Sequence, residues 1–128
     1  MKNFLIIFIF SILSTVSFSQ SFARAYKFTV GHRDFSTNEI VWSGQPIDCN
    51  ILIKIDGNQV TIHSRVLQKY HVISKLKETE DGVMYRMSDS NGTLCNFYMG
   101  PITDGTSMYI SIEYNDYAWL YNCVDESD

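Results

Sequence analysis

The side chains in this chain that could do acid-base, metal or nucleophilic chemistry near neutral pH are few: three histidines, three cysteines and one cluster of carboxylates. His32, His63 and His71 are scattered, with no Glu or Cys at metal-ligand spacing. Zinc needs three or four converging N or S donors, so these read as solvated surface histidines. Glu78, Glu80 and Asp81 stand beside Lys75 and Lys77. Paired acid-base work needs two carboxyls in different environments, and a mixed-charge turn reads instead as a solvated loop. Asp89-Ser90-Asn91-Gly92 begins like a calcium loop but lacks the later acidic ligands and the closing Glu. Asn91-Gly92-Thr93 fits the glycosylation pattern, which matters only in a eukaryotic host. There is no nucleophile elbow and no phosphate-cradling glycine loop. The expectation is therefore a protein that is not an enzyme, with no catalytic residues, no metal ligands and no cofactor.

Cys49, Cys95 and Cys123 match no zinc or redox spacing, and an odd number cannot all pair internally. They serve either as small buried hydrophobes or as one internal disulfide plus a free thiol.

Residues 1–19 carry Lys2, an apolar run over Phe4 to Leu13 broken only by Ser11, and small residues at Ser17-Phe18-Ser19 before Gln20. This is the pattern of a secretory signal peptide, with Ser21-Phe22-Ala23 as a second cleavage candidate. The run falls short of the ~20 residues a spanning helix needs. No cysteine lies near the cleavage region to take a lipid. The expected product is a single β-rich domain over residues 20–128, secreted or periplasmic, with no membrane span once the signal is removed. Without Lys2 it holds nine Lys and Arg against 14 Asp and Glu, a net charge of −5. An acidic domain with no basic run does not suit nucleic acid. An unidentified small molecule or protein is left as the partner, and the oligomeric state is open.

The elements that must position any site are strands. Ser107 to Tyr114 alternates strictly, with Met108, Ile110, Ile112 and Tyr114 on one side. An Asn115-Asp116 turn then sets Tyr114 opposite Tyr117, Ile112 opposite Trp119, Ile110 opposite Tyr121 and Met108 opposite Cys123. Asp56-Gly57-Asn58 makes a second hairpin that groups Ile51, Ile53 and Ile55 with Val60 and Ile62. In a third, a Ser90-Asn91-Gly92 loop groups Val83, Tyr85 and Met87 with Cys95, Phe97 and Met99, whereas a two-residue loop would mix polar and apolar on both faces. Phe22 to Val30 is a strand broken by His32-Arg33-Asp34. Glu39 to Ser43 is a short one, stopped by a turn at Gly44 and Pro46, and Cys49 to Asp56 resumes. Residues 65–78 read as a strand with Val66, Tyr70, Val72 and Leu76 on one face, or as a helix behind Ser64. Gly100 to Gly105 is the loop back to Ser107.

Eight or nine short strands joined by tight turns make an all-β antiparallel meander, which closes as a small up-and-down barrel or folds over as a sandwich. In general shape this resembles lipocalin-like and avidin-like barrels; no family motif is matched. The first functional expectation is a secreted, non-catalytic binding protein whose ligand cavity is bordered by Trp42, Tyr85 and Trp119. The alternative is a protein-interaction module of the cell envelope, or a secreted inhibitor, using an outer apolar patch of Met84, Tyr98, Tyr109 and Leu120.

Overall fold

The computed structural model describes residues 20–101 and 107–126. Residues 1–19, where the sequence reading expects a signal peptide, and most of the loop expected over Gly100 to Gly105 lie outside them. The described chain folds as β1 (Gln20–Asp34), β2 (Glu39–Asp56), β3 (Gln59–His63), β4 (Leu67–Thr79), β5 (Gly82–Asp89), β6 (Leu94–Pro101), β7 (Ser107–Glu113) and β8 (Tyr117–Asp125). Each strand pairs antiparallel with the next, and β8 pairs back onto β1, so the meander closes into an eight-stranded barrel. Closure satisfies the first and last strands on both edges, which a sandwich would not.

Three hairpins have the registers that their turn residues dictate. Ile112 lies opposite Trp119 and Met108 opposite Cys123. Ile55 lies opposite Val60 across a Gly57-Asn58 loop. Met87 lies opposite Cys95, with Gly92 at φ 81° in the loop between them. Because side chains alternate along a strand, those registers send one coherent apolar row from each strand inward.

Elsewhere the strands depart from the sequence reading. His32 to Asp34 does not end β1; the chain continues in register with β2 to Asp34 opposite Glu39. The two short strands expected on either side of Gly44 and Pro46 are one 18-residue strand. It absorbs those residues as an irregularity between the Phe28–Ile47 and Val30–Ser43 pairs, since a bulge lets turn residues sit inside a ladder. Residues 67–79 are strand and not helix. Tyr70 and Val72 point inward as expected, but Val66 and Leu76 are exposed. Register shifts between Val72 and Ser74 and between Lys75 and Lys77 break the alternation that the sequence reading extended through Leu76.

The interior is filled by the chain's own side chains, as expected of a narrow barrel. Tyr85, Phe97, Met87, Met99, Met108 and Ile110 are all almost fully buried. Tyr85 and Phe97 lie with ring centroids 6.3 Å apart, tilted by 40°. The three cysteines are free thiols, Cys95 and Cys123 buried and Cys49 half-buried. Burial pushes the Cys95 thiol up to about 11 and the Cys123 thiol up to about 12, so both stay protonated and behave as small hydrophobes.

Candidate functional site

One end of the barrel carries the β1–β2, β3–β4, β5–β6 and β7–β8 turns, and a pocket of about 250 Å³ opens there. It exists because β3 stops early. That strand covers β2 only from Leu52 to Asp56, while β1 and β2 run on together to their own turn. Phe28 and Val30 from β1, Ile51 from β2, and Trp119 and Tyr121 from β8 form its walls. Phe28 pairs with Tyr121 and Val30 with Trp119 across the β1–β8 seam, so four of the five walls meet where the chain closes on itself. Ser64 and Gln68 supply the polar rim.

None of the lining residues carries a formal charge, and the polar groups are few and directional. Ser64 Oγ donates to the Val66 carbonyl at 2.6 Å, and Gln68 Nε2 donates to Ser64 Oγ at 3.0 Å. Tyr70 donates to Gln68 Oε1 at 2.6 Å. Burial pushes the Tyr121 hydroxyl up to about 12, opposed by the Gln68 amide and the Trp119 indole close to its oxygen. The Trp119 N–H is nonetheless buried with no acceptor at hydrogen-bonding geometry.

The pocket is braced from behind. Tyr114, Tyr117 and Trp119 stack with centroids 5.1 to 5.7 Å apart. Arg33 ties the β1–β2 turn to the β7–β8 turn: its guanidinium donates to Glu113 Oε1 at 3.1 Å, to the Asn115 carbonyl at 2.6 Å and to the Asn38 carbonyl at 3.1 Å. Among the four ion pairs formed by described residues this is the least exposed.

Tyr114 donates to Asp89 Oδ2 at 2.7 Å, while Asp89 Oδ1 accepts the Asn91 and Thr93 N–H groups at 2.9 Å each. The Tyr114 hydroxyl, and then the backbone donors, hold the Asp89 carboxyl below its ordinary value. A carboxylate depressed in the folded state stabilises it above the ordinary carboxylate range, and that contribution is lost as pH falls through the depressed value. Melting temperature should therefore drop on acidification from about pH 5 to about pH 3. Tyr114→Phe should melt lower than the parent at neutral pH and lose less on acidification. Thermal melts of both proteins across that range check this; an equal acid loss in the two would remove Tyr114 from the account.

The three aromatics proposed from sequence as a ligand box are not together. Trp119 lines the pocket. Tyr85 is 1% exposed inside the filled core. Trp42 lies on the outer wall, its ring against β1 where a Cβ on Gly31 would come within 2.8 Å of it. Phe28, Ile51 and Tyr121 went unnoticed because the pocket depends on where β3 ends, and a Ser-Arg-Val turn carries no strong stop signal.

The proposed outer patch is brought together. Met84, Tyr98, Ser111 and Leu120 form one row across β5 to β8, with Tyr109 in the next row, over Gly100. Two shallow hollows of about 270 and 440 Å³ share Tyr98 and Tyr109 as a common wall, and Trp42 edges the larger. The three histidines are all exposed, and among the described residues no three His, Cys, Asp or Glu side chains are grouped to hold a metal. Among those residues, no helix is long and apolar enough to cross a membrane. Comparison with family models, curated proteins and solved structures finds nothing that matches this chain.

Proposed function

We propose that this is a non-catalytic binding protein whose site is the pocket at the barrel mouth, taking an uncharged, mainly aromatic or aliphatic group. The observation that carries the reading is the concave apolar pocket that the filled core leaves open, walled by Phe28, Val30, Ile51, Trp119 and Tyr121. Binding sites have this composition, with apolar walls and a few placed polar groups. A cavity of about 150 Å³ already admits benzene, so 250 Å³ has room for a bicyclic ring. A charged ligand has no partner among the lining residues.

Titration with indole, followed by isothermal calorimetry, tests it. A saturable change at tens of micromolar is expected, the range in which a ligand of that size binds well. Val30→Phe adds bulk at a half-exposed wall and should weaken binding at least about tenfold with little change in melting temperature. No saturable signal from indole or 1-naphthol would reject the pocket as a site.

A further inference from the structure

The pocket lies beside a second unfilled feature. β2 is 18 residues long, and among the described residues nothing pairs with its second edge from Glu39 to Ile51. In an antiparallel ladder every other residue turns its N–H and C=O to a given side, so this stretch presents backbone donors and acceptors to solvent. Natural proteins usually blunt such an edge, because it is a template for another strand.

Part of it is blunted. Gly44, at φ 74°, and Pro46, which has no N–H, interrupt the edge toward the β1–β2 turn. Ile47 to Ile51, the five residues nearest the end of β3, lack that protection. The one charged side chain among them, Asp48, is held on the outer face by Lys27 at 2.6 Å, away from the edge. Ile51, at one end of this stretch, is a wall of the pocket, and Ile47 stands 52% exposed at the other.

We propose that the group bound in the pocket is a side chain of a partner protein, presented on an extended segment that adds as a strand to the β2 edge at Ile47–Ile51. The inference rests on the pocket being a binding site, and it names what enters. A strand continuing the line of β3 sends alternate side chains inward, to the side on which Phe28, Val30, Trp119 and Tyr121 wait. The uncharged lining selects a large uncharged side chain. The volume is below the range of roughly 300–1,000 Å³ typical of sites for free drug-sized molecules, yet ample for one anchored residue. Main-chain bonds to an edge supply affinity and a side-chain pocket supplies specificity, which is how strand-addition recognition works.

The test is selection of a random decapeptide display library on the whole protein, followed by synthesis of a selected peptide. Selected sequences should share one large uncharged residue, bind saturably with a change in Trp119 emission, and lose affinity in the Val30→Phe variant. Methylating the peptide's backbone nitrogens one at a time should weaken binding about tenfold or more at alternate positions and little between them. A flat methylation series would overturn strand addition. Indole binding with no selectable peptide would also overturn it while leaving the pocket standing, and loss of both would remove the pocket as well. If the protein sediments as a dimer that a Cys49→Pro or Asn50→Pro change dissociates, the edge belongs to a second copy and the proposal fails.

Discussion

Phe97→Ala is expected to lower the melting temperature by more than about 10 °C, because the ring is fully buried at the centre of the core. Truncating a buried phenylalanine costs roughly 3–5 kcal/mol, from lost transfer free energy and from the cavity left behind. Domains of this size hold only about 5–15 kcal/mol in reserve. Relaxation cannot recover much of the loss. Phe97 sits between Tyr85 on β5 and Ile112 on β7, both tied into ladders on either side, so the strands cannot move inward without breaking register. Denaturant titration monitored by tyrosine and tryptophan emission measures the loss directly. A cost below about 1 kcal/mol would mean that the barrel is not packed at its centre.

Gly82→Ala should cost a comparable amount for a different reason. Gly82 has φ 146°, a conformation that L side chains rarely adopt, and forcing one into it costs roughly 1–3 kcal/mol. A Cβ there would also stand 2.5 Å from the Met99 carbonyl oxygen and 3.1 Å from the Gly100 Cα. Both are backbone atoms of β6 and cannot swing aside as a side chain would, so overpacking adds a penalty of similar size. Gly44→Ala is the control: its φ is also positive, at 74°, but nothing lies within 4 Å of the new methyl. If the two variants melt together, close approach at Gly82 contributes nothing beyond strain.

Much of this fold was legible because hairpin registers are a local property. Gly57-Asn58 and Ser90-Asn91-Gly92 each fix a loop length, the loop length fixes which residues face each other, and the facing rows then agree on one interior. What escaped was non-local. That β1 and β2 run on past His32 and through Pro46 depends on each strand supporting the other, with β8 alongside β1 as far as His32 opposite Tyr117. Alternation in β4 failed after Val72 because each extra residue in a strand reverses the phase of everything beyond it. The site was half legible for the same reason. Trp119 and the outer patch of Met84, Tyr98, Tyr109 and Leu120 follow from hairpin registers. Trp42 was misplaced, because its facing depends on irregularities between β1 and β2 that leave no periodic trace.

The seam between β1 and β8 also bears on how the protein reaches its native state. Arg24 and Glu126, whose side chains meet across it at 3.3 Å, are 102 positions apart in the chain. Every other strand pair joins consecutive strands. Turns of a few residues close quickly, whereas an encounter over that distance carries the largest loop-closure entropy in the molecule, and it is rewarded only once the intervening sheet has curled. Seven hairpins and an open, curling sheet can thus precede the seam, and the Phe28–Tyr121 and Val30–Trp119 pairs that wall the pocket are made only when it closes. Binding competence is then acquired at the end of folding, and a chain that loses its last strand retains most of its hairpins but has no pocket.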